Sequence, residues 1–476
     1  MDSSKEDVKT EFVDERAQQP DEIYDNDHED PRIKRIKRKV DLRLSLILAV
    51  MYCVNQIDRT NLGNASIAGM DVDLNLIGNR YQIIVLVFFP FYILGNPIAT
   101  VLARKLGPRP FLAAITAAFG LVVVGMGLSD NWQTLMGLRM LLGIFESCFF
   151  PSAIFLVSMW YLRREVAKRN AFFYLIGNSV GGFGGVLAFG LQQMDGIAGH
   201  EGWRWIFIWE GIITAIIAII GFIFLVDFPE EAHKSKFFLT DEEIKLMVDR
   251  VDRDRGDAHV TEFSIWKYLS EAKDWKCWCF AVRTLRAKSY KMFTDGTTYL
   301  QANFGFAGLV TYSVSYFLPI ILRESLGFSV ALSQCLTAPC YVFSFLLGFA
   351  EAVVSDKTNW RGHIIVFNSV LMIIGANSNV TASMTYQQNN VVGQWKRAFT
   401  SANMVAMGGV GGIIGGSVFR GQDAPQYVPG LITCFLAAGL TILSVMATTI
   451  YMINQNRKQA KGQIVIEGVP GFRYTI

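Results

Sequence analysis

From Trp132 to Trp160 the chain carries only two charged side chains, Arg139 and Glu146, in an otherwise apolar run. A stretch so long and so poor in charge reaches the roughly 20 residues needed to cross a bilayer as a helix. Inside hydrocarbon every backbone N–H and C=O must be satisfied within the segment, so the run is constrained to be helical. Arg139 and Glu146 stand about two helical turns apart and leave one face of that helix, roughly 10 Å from each other along its axis. That is too far for a direct pair, so water, a substrate or another helix has to sit between them. Ionisable groups at membrane depth cost at least about 3 kcal/mol each unless they face a cavity or a partner. Two readings follow: structural residues held by neighbouring helices, or an anion-binding arginine and a proton-carrying glutamate on a transport path.

Ten further apolar runs accompany this one: 42–57, 81–102, 111–128, 171–192 and 205–226 in the first half, and 303–322, 332–354, 362–375, 398–419 and 428–451 in the second. Charged residues make up 18% of the chain, against about a quarter in soluble domains, and they are clumped into tails and loops. The expected fold class is therefore an all-α, polytopic membrane protein, with the lipid bilayer as its principal partner. The net charge of +3 gives no case for nucleic acid, because the basic residues have a topological role. The run PRIKRIKRKV (31–40) precedes the first span and places the N-terminus on the cytoplasmic side. The loops 103–110 and 161–170 are basic and 129–131 and 194–202 are not, so the alternation holds through six spans. The basic run 456–461 returns the C-terminus to the cytoplasm.

This gives a domain plan: a cytoplasmic tail over 1–40, a bundle over 41–227, a cytoplasmic loop over 228–301, a second bundle over 302–453 and a tail over 454–476. Two bundles joined by a long inner loop is the arrangement of transporters built from parallel repeats. Within the loop, Thr240 followed by Glu243 predicts a capped helix start. The seven cysteines form no C-x-x-C or zinc pattern and read as small buried hydrophobes. With no phosphate-cradling loop, metal cluster or nucleophile triad in the sequence, no enzyme, metal or organic cofactor is expected.

Asp58 and Arg59 follow the first run and read as an interfacial salt bridge at a helix end. Asn55, one turn before Arg59, is placed where it could line a transport path. Tyr174 and Asn178, four apart, share a helix face able to touch substrate. Gly177, Gly181, Gly182, Gly184 and Gly185 read as close helix packing. Glu210, with Trp203 and Arg204 before it, reads as a structural clasp.

These residues carry a resemblance. Asp58-Arg59-Thr60-Asn61-Leu62-Gly63-Asn64-Ala65, Arg139 to Pro151, Trp203-Arg204-Trp205-Ile206-Phe207 with Glu210-Gly211, Asn389 to Arg397, Phe419 to Pro425 and the terminal Phe472-Arg473-Tyr474-Thr475-Ile476 are similar to the major facilitator superfamily. Within it they most resemble the anion:cation symporter branch and its fungal allantoate permease-type carriers. The resemblance implies two pseudo-symmetric six-helix bundles in the plasma membrane. It also implies a monomeric protein that takes up a small organic anion, such as allantoate or nicotinate, with a proton as coupling ion. Carried over, Arg139 and Arg59 hold the substrate carboxylate and Asp58 and Glu146 exchange protons, with Asn55, Tyr174 and Asn178 as further substrate contacts. The chemistry is consistent, because guanidinium stays charged and makes a bidentate fork to carboxylate.

Two segments depart from the family. Residues 282–301 (VRTLRAKSYKMFTDGTTYLQ) are polar where a seventh span should begin. Val-Arg at one end and Gln at the other can be encoded as the ends of a short fungal intron, which makes a translated intron the expectation. Second, the run from Gly362 stops after Gly375, too short to span. A polar run then leads to Lys396-Arg397 where the family has two full spans. Basic flanks on both sides place both ends inside, so this region is expected to be a re-entrant hairpin or a truncation of the ninth and tenth helices. A non-transporting nutrient sensor or an inactive truncated paralogue is the corresponding alternative function.

Overall fold

The computed structural model describes residues 31–234, 238–255, 296–358, 361–373, 383, 386, 390, 394–466 and 473–474. Among them the secondary structure is helical throughout. In the first half the helices are α1 (Pro31–Val40), α2 (Leu46–Ala65), α3 (Arg80–Leu106), α4 (Pro108–Gly127), α5 (Trp132–Ser147), α6 (Phe149–Trp160), α7 (Arg163–Gln192) and α8 (Gly202–Phe224). Then come α9 (Asp241–Arg255), α10 (Gly296–Glu324), α11 (Val330–Cys335), α12 (Thr337–Thr358), α13 (Arg361–Ile373), α14 (Gln394–Val418) and α15 (Val428–Ala460). Eight helical stretches among the described residues are long and apolar enough to cross a membrane, and three shorter apolar helices stand with them.

Each expected run has its helix, with informative differences at the ends. The first span does not stop at Ile57. Helix α2 continues to Ala65 and through a π-type turn to Met70, which puts Asp58 and Arg59 inside the bundle rather than at its rim. Both are buried, as is Asn64, so Asn64-Ala65-Ser66, although it has the N-x-S glycosylation pattern, presents no accessible acceptor. The run 132–160 is two helices broken at Cys148. Pro151 has no N–H to give the carbonyl of Ser147, so the ladder is interrupted one residue after the chemistry-bearing turn that ends in Glu146–Ser147. Helix α3 ends at Gly107, whose φ of +84° suits a residue without Cβ, and Pro108 opens α4 at once.

In the loop region, Thr240 and Glu243 cap α9 reciprocally, with Glu243 N–H to Thr240 Oγ1 at 3.3 Å and Thr240 N–H to Glu243 Oε2 at 3.1 Å. Helix α9 docks beneath the first bundle. Arg250 donates to both oxygens of Glu165 at 3.1 and 2.9 Å, Lys37 of α1 reaches the same carboxylate at 2.6 Å, and Lys39 holds Glu243 at 3.1 Å. Burial pushes the Glu165 carboxyl up, but the hydrogen bonds and charge of Arg250 and then Lys37 outweigh it and hold it at about 2. The folded-state value lies below the unfolded value of about 4.3, so the stabilisation is complete above about pH 5 and is lost as pH falls toward 2. It is worth about 3 kcal/mol at neutral pH. Glu165→Gln is therefore expected to raise amide hydrogen exchange across α9. Taking the wild type from pH 7.5 to 5.5, with the intrinsic rate corrected, leaves that exchange unchanged.

The two departing segments fall partly outside the described residues: 282–295 of the first, and 374–382 with most of 384–393 of the second. The last six residues of the first, Gly296 to Gln301, belong to α10, so the seventh helix starts earlier than the sequence reading placed it. Around the second segment, Gly362 of α13 lies against Thr449 of α15. Buried Tyr386 reaches that same Thr449 hydroxyl at 3.4 Å, and Ser383 accepts from Asn303, early in α10, at 2.7 Å. Tyr386 and Gly362 thus share Thr449 as a neighbour, while the stretch that distinguishes a hairpin from a truncation lies outside the described residues.

Candidate functional site

The site forms around Arg59, which α2 carries between the two halves. Its Nε donates to Glu146 Oε2 at 3.1 Å, its Nη1 to the Tyr312 hydroxyl at 2.7 Å and its Nη2 to the Tyr92 hydroxyl at 3.3 Å. The rings of Tyr92, Tyr312 and Phe88 lie 5.1, 5.4 and 5.9 Å from the guanidinium carbon, within cation–π range. Tyr312 belongs to α10, so this one side chain bonds across the boundary between the halves. Beside it lies a pocket between the two halves. The first half lines it with Tyr52, Gln56, Arg59, Thr60, Tyr174 and Asn178, and the second with Phe304, Thr311, Tyr312, Ser315 and Tyr341. The wall is aromatic and uncharged apart from Arg59, with Gln56 bonded to Asn178 at 3.2 Å and Ser315 to Tyr341 at 3.0 Å.

Of the residues singled out in the sequence, Arg59, Tyr174 and Asn178 stand on the pocket wall. Asn55, Asp58, Arg139 and Glu146 lie behind it, all buried. Glu146 meets Arg59 rather than Arg139, and Asn55 sits beside it. Arg139 is 1% exposed, and its Nε and Nη2 have no hydrogen-bond partner among the described residues. Both oxygens of Asp58 are likewise unpartnered, and Arg139 and Arg59 are the cations that act on them.

The expected clasp of Trp203 and Arg204 exists, but its acid is not Glu210. Arg204 binds Asp73 at 2.9 Å, Glu201 at 2.5 Å and the Ser129 carbonyl at 2.7 Å, and Trp203 donates to Asp73 at 3.2 Å. Glu210 lies about two turns further along α8, out of Arg204's reach.

The sequence reading missed Tyr52, Gln56, Tyr312, Ser315 and Tyr341. A signal was present: Tyr52, Gln56, Arg59 and Thr60, and again Phe304, Gly308, Thr311, Tyr312 and Ser315, follow helical spacing along one face each.

The glycines of α7 explain how the halves come together. Gly177, Gly181 and Gly184 face Tyr52, Gln56 and Thr60 of α2, while Gly182 and Gly185 face Tyr341 and Gln334 of the second half. At the end of the bundle away from the termini, Tyr81 bonds the Tyr316 carbonyl at 3.3 Å and Gln82 the Phe419 carbonyl at 2.7 Å. Gln334 bonds the Asn64 carbonyl at 3.3 Å, and Arg323 bonds the Ile67 carbonyl. A Cβ on Gly185 would stand 2.2 Å from the Gln334 carbonyl oxygen. Gly185→Ala is therefore expected to cost this closed arrangement about 1–3 kcal/mol. The check is labelling of Ser315→Cys by an impermeant thiol reagent applied from that end, which rises several-fold over the Gly185 parent.

A pocket at the boundary of two helical bundles, with one buried cation in its wall, defines a membrane carrier of small molecules. The family model of the Major Facilitator Superfamily matches residues 48–418, and the chain belongs to that superfamily. It is a multi-pass membrane transporter and not an enzyme. Its relatives include the MFS-type transporter cnsO of Penicillium expansum, 29% identical over 90% of this chain and 85% of that protein. The high-affinity nicotinic acid transporter of Saccharomyces cerevisiae is 26% identical over 92% of this chain and 80% of that protein. Among solved structures, the proton:xylose symporter XylE aligns with a TM-score of 0.57 at 13% identity, over 85% of this chain and 94% of that one. A bacterial homologue of the lysosomal transporter Spinster, in an inward-facing occupied form, aligns at 0.52 and 16% identity, over 86% and 94%. At these identities the two structures speak for the fold alone.

Proposed function

We propose that the chain is a proton-coupled symporter of a small organic anion, of the anion:cation symporter branch and allantoate permease-like. Its substrate is a carboxylate vitamin or nitrogen source such as nicotinate or allantoate. In this reading it works as a monomer in the plasma membrane with both termini cytoplasmic. The observation that carries the proposal is the position of Arg59: the cation of the pocket wall, held by a carboxylate on one side and by phenols from both halves on the other. An incoming carboxylate competes with Glu146 for the guanidinium. Once displaced, Glu146 is a buried carboxylate without its partner, and binding a proton removes the cost of that charge. Anion and proton thus load together. Tyr312 and Tyr92, bonded to the same guanidinium, give the rocking halves a shared element that senses loading. Arg139 and Asp58, just behind the wall, form a second cation–carboxylate set for the same exchange, and Tyr174, Asn178 and Asn55 contribute substrate contacts. The relatedness to a nicotinic acid transporter supports the choice of anion.

Binding of matched acid and amide to the purified protein tests it. Nicotinate and allantoate are expected to bind at least about tenfold more tightly than their amides, the difference a desolvated charge-assisted pair makes. Equal affinity for acid and amide would contradict an anion site. One observation favours the inactive paralogue or sensor instead: Tyr386 lies beside Thr449, the residue that Gly362 at the start of α13 also faces. Transcript sequence across 282–301 and 375–376 decides it, since two added apolar spans would restore the ordinary carrier.

A further inference from the structure

Glu210 is a buried acid that neither the clasp nor the pocket uses. It is 3% exposed, and both its oxygens lack a hydrogen-bond partner among the described residues. Its place follows from packing. Gly221 of α8 lies against Met51 of α2, and the two helices run antiparallel. Seven residues on from Met51 and seven back from Gly221, Asp58 stands opposite Thr214, whose buried hydroxyl is also unpartnered. Glu210 is one turn further, level with Asn61, whose amide group is fully buried and unpartnered too.

The charged group that acts on Glu210 is Asp58, a like charge. Among the described residues, the other elements packed on α8 offer it no cation. Helix α4 carries only Arg109, at its far end. Helix α7 has Arg163, Arg164, Glu165, Lys168 and Arg169 in its first two turns and Tyr174 at the pocket. Beyond α2 the turn 66–70 has no ionisable group and is followed by Asp71, bonded to Ser66, and Asp73, bonded to Arg204. On α2 itself Arg59 is engaged by Glu146, and Arg139 of α5 acts on Asp58 and Glu146. Setting aside the Arg204 clasp and the buried Glu165 and Asp227 at the ends of the bundle, its middle thus holds, among the described residues, three buried carboxyls, Asp58, Glu146 and Glu210, against two guanidiniums, Arg59 and Arg139. An uncompensated buried carboxylate takes up a proton rather than stay charged.

We propose that Glu210 holds that proton and exchanges it with Asp58, as a third proton-coupling residue beyond Asp58 and Glu146. Its part in transport rests on the symport reading above; its protonation does not. The full chain, purified into ether-lipid vesicles that lack ester carbonyls, is compared by infrared spectroscopy with Glu210→Gln and Glu210→Asp. The wild type shows a protonated-carboxyl C=O band at pH 7 that fades as pH rises. The band is absent from Glu210→Gln and retained in Glu210→Asp. In the same vesicles the pH dependence of nicotinate uptake flattens in Glu210→Gln and recovers in Glu210→Asp. A band undiminished in Glu210→Gln overturns the assignment. A lost band with an unchanged pH profile of uptake overturns the coupling role. A band lost in the variant while the wild type shows no proton-driven uptake refutes the symport reading and leaves the protonation standing.

Discussion

Arg59→Lys is expected to lower carboxylate uptake by at least about 100-fold, with the protein still folded and in the membrane. The guanidinium makes three directed hydrogen bonds, to Glu146, Tyr312 and Tyr92, and lies in range of three aromatic rings. An ammonium is a compact point charge that cannot present a planar fork to carboxylate or span both halves at once. Losing two charge-assisted bonds corresponds to about 3 kcal/mol, and about 1.4 kcal/mol is tenfold. The positive charge remains, so Glu146 keeps a counter-ion and the fold is spared the cost of an orphaned buried ion. Initial uptake rates, with surface expression measured alongside, check it; uptake within threefold of wild type would return Arg59 to a structural role.

Glu146→Gln separates exchange from accumulation. The amide keeps an acceptor for Arg59 Nε and nearly the same shape, but it cannot bind and release a proton. Concentrative uptake under an imposed pH gradient is expected to vanish, while exchange of labelled for unlabelled anion at equal pH continues. Because the variant leaves Arg59 less tightly held, its apparent affinity for the anion is expected to rise in the same assay. Persistence of concentrative uptake would move the coupling role to Asp58 and Glu210.

Much of this architecture is legible in the residues because hydrocarbon imposes one rule on every span. The apolar runs therefore mark α3, α4, α8 and α14 to within a few residues. The reading fails where polar side chains face inward. Hydropathy drops at Asp58-Arg59, so the first span looks finished, although the helix continues and both side chains are buried. Residue type says nothing about which way a side chain faces until partners are known. Arg59 finds its partners 87 positions away at Glu146 and 253 away at Tyr312, and the register between halves that brings Tyr312 to Arg59 is set by packing. The same holds for Glu165, whose partner Arg250 lies in a loop helix that composition alone marks as a solvated charge run. The acid of the Arg204 clasp was misplaced for a local reason: Glu210 is near in sequence, whereas Asp73 is near in space.

The most direct test of the central claim is accumulation of radiolabelled nicotinate and allantoate by the purified protein in liposomes under an imposed pH gradient. Anion–proton symport predicts that the inside concentration of at least one rises above the outside with external acid, collapses on adding a protonophore, and is absent from Arg59→Lys. Entry of both anions to no more than the outside concentration, the same with and without the gradient, would contradict it.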